Sequence, residues 1–296
     1  MEDKLRKMGE PVKTVYKITR KNVLEAMNKG ERLDGRTPFE QRSIEITFGV
    51  SNKAEGSVKV KIGKTEVVCG IKMNTQEPYT DHENEGTMTT SMELLPLSSP
   101  NYEYGQPTIE AVEIARVVDR GIRESRFIDF EKLCIKPGEK VWSINVDMAV
   151  LNEDGNLIDA GALAGILALM TARFPEYDEK TGIINFGEFT DKKLPLKVEN
   201  MPLTTTCYKI GDKIFIDPTR EEEDTAEGRL TIEVTKPEKE EMITAMQKGG
   251  EAPLSQEDVL IMVEEATKIF KKYKNIVDEE VGKFEKGEKK TKKSKE

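Results

Sequence analysis

Three arginines, Arg116, Arg120 and Arg123, stand at i, i+4 and i+7, a spacing that places side chains on one face of a helix. Each guanidinium offers a planar fork of donors, so three on one stripe suit the oxygens of successive phosphodiesters. The stripe also reads as a solvated set of ion pairs. Asp119 lies three residues after Arg116 and four before Arg123, and Glu124 lies four after Arg120. Arg126 falls off the stripe. Arg32, Asp34 and Arg36 crowd a single turn and read as an ion-paired structural lock. His82, between Asp81 and Glu83, reads as a solvated side chain, not a general base. The run Glu221-Glu222-Glu223-Asp224 reads as a solvated loop before it reads as a metal site. With one histidine and three scattered cysteines (Cys69, Cys134, Cys207), no zinc site, disulfide framework or cofactor is expected, and a reducing cytoplasm fits.

The stripe needs a helix, and Pro107 to Arg126 predicts one, with Pro107 in its first turn and Ile109, Val112, Val118 and Ile122 on an apolar side. Upstream, residues 20–28 read as a short helix, and residues 56–70 as a hairpin turning at Gly63-Lys64. Residues 74–106 read as loop with an apolar strand at Met92–Leu97. Alternation from Trp142 to Val150 predicts a strand with Trp142 in the core. Residues 159–173 are apolar almost all round and predict a buried helix. After a polar stretch at 175–200, a second block repeats the style. It has a hairpin over 204–217 turning at Gly211-Asp212, a strand at Leu230–Val234, and a helix over 256–275 opened by a Ser255/Asp258 capping box. Strands followed by helices, twice over, indicate an α+β chain. Its expected parts are an N-terminal helical arm (1–30), a first half (31–175), a second half (176–275) and a disordered Lys/Glu-rich tail (276–296).

The chain of 296 residues is 36% hydrophobic and 34% charged. No apolar run approaches the roughly 18 residues that span a membrane, and the first residues, MEDKLRKMGEPVK, lack a signal-peptide core. A net charge of −9 excludes a general field for nucleic acid, so any such contact must be a local patch. The tail from Gly282, with seven lysines against three glutamates, is the basic exception.

Glu31-Arg-Leu-Asp-Gly-Arg36, with Glu40 and Arg42 after it, resembles the opening signature of the RNase PH-type family. Three further blocks continue the likeness in order: the 56–70 hairpin, Val146-Asp147 to Ala168-Leu169, and Ile216-Asp217-Pro218-Thr219. The likeness runs from about residue 31 to about residue 272. It implies two mixed sheet-and-helix halves packed together and assembled as a hexameric ring. It also implies 3′-to-5′ shortening of RNA by phosphorolysis in catalytic members. Such a site must hold phosphate in line with the scissile bond and supply a carboxyl group for the leaving oxygen.

Two of those parts are missing. Catalytic relatives carry a turn like G-[GST]-[ST]-R that cradles phosphate at a helix start. Here the turn is Asp154-Gly155-Asn156-Leu157-Ile158-Asp159, apolar where a hydroxyl and a cation are wanted, with Asp159 expected to repel phosphate. The acid of an E-x-D-[ML]-P-like segment is replaced by Arg229 in Glu227-Gly228-Arg229-Leu230-Thr231. Within the family, the resemblance is therefore to the non-catalytic ring subunits of archaeal exosomes. It implies no catalytic residue of its own and a catalytic RNase PH-like partner, alternating three with three. It further implies RNA bound at Arg116, Arg120 and Arg123, and RNA-binding cap subunits. The alternative is an enzyme that uses Asp217 or Asp224 in place of the missing acid.

Overall fold

Period-two alternation in Gly56–Ile62 (β2) sends Val58, Val60 and Ile62 to one side, and all three are buried. The computed structural model describes residues 17–178, 181–238 and 240–293; most of the expected N-terminal arm and the last three residues lie outside these. Lys17–Asn28 forms helix α1, and Ile44–Phe48 (β1) pairs with β2. The predicted turn closes at Gly63-Lys64, with Ile62 opposite Thr65 and Gly63 at φ 60°. Thr65–Gln76 (β3) is longer than the predicted strand and pairs with the central Lys140–Asn152 (β6). Thr87–Leu94 (β4) lies parallel to β6 at the sheet edge, and Cys134–Lys136 (β5) adds a short pairing. The expected strand at 92–97 thus begins five residues earlier, because threonines 87, 89 and 90 pair with β6 where no apolar run announces a strand.

Ile109–Glu124 forms helix α2, and Thr108 caps it by accepting the Ala111 N–H at 3.2 Å. Leu157–Thr171 forms helix α3, whose first thirteen residues are all buried. The reason lies on both sides of it. α3 packs on β2 and β3 with one face, and with the other on Leu203–Ile210 (β9), so two sheets share one helix. One large apolar core runs through both halves, and a smaller cluster of Val23, Met27, Tyr208, Ile210 and Phe215 lies under α1. Truncating Leu163 or Leu167 to alanine in the large core would cost roughly 2–5 kcal/mol.

The polar stretch after α3 is a hairpin, Arg173–Asp178 (β7) with Ile183–Lys193 (β8), where Tyr177 and Phe174 cover buried Trp142. The second sheet has the order β10-β9-β11-β12, with Lys213–Ile216 (β10), Gly228–Thr235 (β11) and Met242–Gly250 (β12). The acidic run is not a loop but helix α4 (Arg220–Thr225), closed by a Thr219/Glu222 capping box. The Ser255/Asp258 box opens helix α5, Gln256–Lys293. The disordered tail expected from 276 is corrected here. Val277 and Val281 remain buried, Phe284 meets Phe48 in a tilted contact with ring centroids 4.9 Å apart, and Lys283 pairs with Glu279 and Glu280, so the apolar stripe outlasts the change in composition.

α2 bridges the molecule. It packs on edge strand β4, on α3 and on edge strand β12, which places its arginines between the two sheets.

Candidate nucleic-acid interface and a closed anion site

Arg116, Arg120 and Arg123 all line one groove of about 760 Å³, bounded by α2, β4 and strands β11 and β12. All three are exposed. Their partners differ. Arg123 donates to Asp119 at 2.7 Å and to the Met88 carbonyl, and lies over the Phe130 ring at 5.7 Å. Among the described residues, Arg116 and Arg120 make neither an ion pair nor a side-chain hydrogen bond. The ion pairs expected with Asp119 and Glu124 therefore account for Arg123 alone.

A second cavity of about 460 Å³ lies at the N-terminal end of α2, sharing Ile109 and Glu113 with the groove and lined also by Glu110, Leu157, Ile158, Glu223 and Arg229 among others. The fold brings together the two departures from the family pattern, Arg229 lying 71 residues after Ile158 in the chain. Arg229 on β11 is held by Glu113 of α2 at 2.6 Å, and Leu157 and Ile158 open α3 as buried apolar side chains. The start of α3 is where an anion would settle, since its N–H groups are unpaired and its dipole is positive there. A carboxylate already stands at its N-cap residue. The Glu223 carboxylate accepts the Asn156 N–H at 3.0 Å and the Tyr208 hydroxyl at 2.8 Å. Glu153, beside it, accepts the Gly155 N–H at 3.1 Å and pairs with Arg220 at 3.0 Å. A second anion would meet both carboxylates at close range.

Asp159 does something other than expected. It is spent inside the fold, accepting the Thr206 N–H at 3.1 Å and its hydroxyl at 2.7 Å, and burial pushes its carboxyl up to about 7. Glu223, 67 residues downstream of Asn156, closes the site instead. Sequence reasoning missed it because the acidic run seemed a solvated loop; the Thr219/Glu222 capping box was the available signal that this run is an anchored helix.

Asp217 is equally committed. Its side chain is 1% exposed and takes Arg42 at 2.7 Å, Arg36 at 3.1 Å and the Asn156 amide at 2.9 Å. Burial alone would raise its carboxyl, but hydrogen bonds and charge from Arg42 hold it below the ordinary aspartate range. Asp217 (φ 46°) and Asn156 (φ 62°) both adopt the left-handed region, and Gly155 (φ 81°) sits where a Cβ would fall 2.7 Å from the Pro218 carbonyl. These backbone conformations knit the 154–156 turn to the 217–219 turn. Asp224 pairs with Arg220 at 3.1 Å.

The lock read at residues 32–36 has the geometry of a structural element. Arg32 is buried against Glu222, donating at 2.9 Å through Nε, and also donates to the Ile216 and Asp217 carbonyls, while Arg36 pairs with Asp34 at 2.7 Å. His82 is exposed, with Nδ1 at 3.1 Å from Glu85. No group of three or more metal-ligating side chains occurs among the described residues, and no helix among them is long and apolar enough to cross a membrane.

This arrangement has counterparts. Family models match residues 40–175 as domain 1 and residues 200–269 as domain 2 of the 3′ exoribonuclease family. The chain is 46% identical over 246 residues to the exosome complex component Rrp42 of Methanothermobacter thermautotrophicus, covering 83% of this chain and 89% of that protein. Identity to the same component of Pyrococcus horikoshii is 43% over 268 residues, covering 90% and 96%. Among solved structures, a chain of the Archaeoglobus fulgidus exosome with RNA bound to the active site superposes with a TM-score of 0.77 at 40% identity, covering 86% of this chain and 98% of that one. A chain of an archaeal exosome core superposes with a TM-score of 0.75 at 37% identity, covering 90% and 100%. By sequence and by fold, the chain belongs to the RNase PH-type 3′ exoribonuclease family, with both of the family's domains present and in order.

Proposed function

We propose that this chain is a non-catalytic ring subunit of an exosome, scaffolding a catalytic RNase PH-like partner and holding RNA for it. The closed anion site carries the reading. Phosphorolysis needs a seat for inorganic phosphate and an acid for the leaving oxygen. At the start of α3 the seat is filled by Glu223, and the acid's place holds Arg229 paired to Glu113. The likeness to Rrp42 components and to archaeal exosome chains supports the assembly, read here as a hexamer of three copies alternating with three catalytic subunits, open to RNA-binding caps and working in the cytoplasm. Arg116 and Arg120 supply the RNA contact from the groove beside α2. Arg123 braces the groove wall through Asp119 and the Met88 carbonyl and adds a third, weaker phosphate contact.

The test is phosphate-dependent release of nucleoside diphosphates, measured for the chain alone, for the catalytic homologue alone, and for the two mixed. No release from the chain alone is expected, with the mixed particle near six chains by light scattering and more active than either component. Release by this chain alone that disappears in Asp224→Ala, or in Asp217→Ala shown still folded by circular dichroism, would overturn the non-catalytic reading.

A further inference from the structure

Glu233 sits where the strand has no need of it. Its neighbours on β11, Ile232 and Val234, are core residues, and Glu233 itself is 2% exposed. Its carboxylate lies against Gly121 of α2, where a Cβ would collide with both carboxylate oxygens. Glycine within a helix costs about 1 kcal/mol against alanine, and here it is what allows an acid to approach the helix backbone. Glu233 lines the arginine groove from below. Its Oε2 has no hydrogen-bond partner, an expensive state for a buried carboxylate.

The surroundings define what this acid answers to. Burial pushes its carboxyl up to about 8; Arg120 opposes that rise, Thr204 across the β9–β11 ladder opposes it too, and Glu124 adds to it. The other charged groups of the groove, Glu113, Arg116, Asp119 and Arg123, also stand on α2, while the lining residues of β4 and β12 are uncharged. Glu113 is committed to Arg229, and Asp119 to Arg123. Glu233 and Arg120 face the same groove with no ion pair closed between them, near enough for the Arg120 charge to act on the carboxyl.

We propose that Glu233 is a concealed counter-ion of the groove, competing with RNA phosphate for Arg120 when ionised and releasing Arg120 when protonated. The inference rests on the reading of the groove as an RNA contact. One proton passes from solvent to the Glu233 carboxylate as the Arg120 guanidinium engages a phosphodiester; no covalent bond other than the new O–H changes. At neutral pH the acid is largely uncharged, so an arginine groove can contain a glutamate without losing its attraction for RNA. Above pH 8, RNA binding must draw in the proton.

The experiment uses the ring assembled with its catalytic homologue and a single-stranded RNA oligomer. Between pH 7 and pH 9 the affinity of the unmodified ring is expected to fall by on the order of tenfold, the limit being tenfold per pH unit for one linked proton. In E233Q the affinity at pH 9 should stay within about twofold of that variant's own value at pH 7. Calorimetry at pH 8 in two buffers of different ionisation enthalpy should show uptake of a fraction of a proton per RNA by the unmodified ring. An equal fall in E233Q, or no proton uptake by the unmodified ring, would overturn the proposal, and the second measurement needs no variant to fold. R116E/R120E separates the two levels of the argument. Loss of RNA binding in that variant together with a persistent pH fall in E233Q removes Glu233 only, whereas unchanged binding removes the groove reading and this inference with it.

Discussion

The two cavities that adjoin along α2 are built from similar parts and end in opposite states. The cleft beside Leu157 and Ile158 holds an arginine and three glutamates, and Arg229, Glu113 and Glu223 are each satisfied by a protein partner. The groove further along the helix holds three arginines and several acids, yet Arg116 and Arg120 stay exposed and, among the described residues, close no ion pair. Counting charges would not separate these sites. What separates them is whether each charge has already been answered inside the fold, because a paired ion has little left to offer a ligand. The closed cleft is a joint between halves; the open groove is a surface with unspent donors.

The largest effect should come from undoing the closed side. Asp217→Ala would leave Arg42 and Arg36 without their shared carboxylate in a site nearly devoid of water, a loss of about 3–5 kcal/mol measurable by denaturant unfolding. If Asp217 were instead a catalytic acid, the variant would keep most of its stability and lose an activity. R116E/R120E should act the other way, weakening RNA binding by the assembled ring on the order of tenfold or more at low salt and making the salt slope shallower by about 1.4 for two lost single-strand contacts. Ring assembly should be unchanged, since exposed charge changes seldom exceed about 0.5 kcal/mol. An unaltered slope with normal assembly would make the groove a solvated ion-pair face.

Two buried acids sharpen the contrast through pH. Asp159 is pushed up to about 7 and Glu233 to about 8. For both, the folded state binds its proton more tightly than the unfolded chain. Their contributions to stability are therefore complete below the unfolded values and are lost as pH rises through about 7 and about 8. Tm should decline between pH 5 and pH 8.5, and D159N and E233Q should each flatten part of that decline; a flat Tm in the unmodified protein would contradict both assignments. Asp217 carries the opposite sign, losing its contribution only as pH falls below the ordinary aspartate range. The smallest effect belongs to Arg123→Ala. Its partly exposed pair with Asp119 is worth under about 1 kcal/mol, and with Arg123 already engaged, RNA affinity should fall less than in Arg120→Ala.

Residue spacing alone placed Arg116, Arg120 and Arg123 on one face, because helical periodicity is a local property. It could not say that Arg123 would be claimed by a carbonyl of β4 and the ring of Phe130, which meet α2 only in the folded chain. The β2–β3 turn was legible from glycine chemistry, whereas β12 was not, since Met242–Gly250 is an edge strand lacking alternation and ending in two glycines. The departures at Leu157-Ile158 and Arg229 were legible from the family pattern, but the agent that fills the anion site was misassigned to Asp159. Long-range hydrogen bonds such as Glu223 to Asn156 leave no periodic trace. Glu233 left none either: Leu230-Thr-Ile-Glu-Val234 alternates as a half-buried strand would, and only the fold shows its polar face covered by α2.

The helix shared by two sheets has a consequence for the chain's birth. α3 is complete at Thr171, but β9 emerges some thirty residues later and its partner β11 ends only at Thr235. At roughly 5–20 residues per second, synthesis leaves one apolar face of α3 uncovered for several seconds. During that interval the first half is a soluble sheet carrying an exposed patch of leucine, isoleucine and alanine, a substrate for chaperones and a nucleus for aggregation. Ribosome-bound chains halted near residue 200 should therefore bind hydrophobic dyes and holdase chaperones, and chains halted well beyond residue 275 should not.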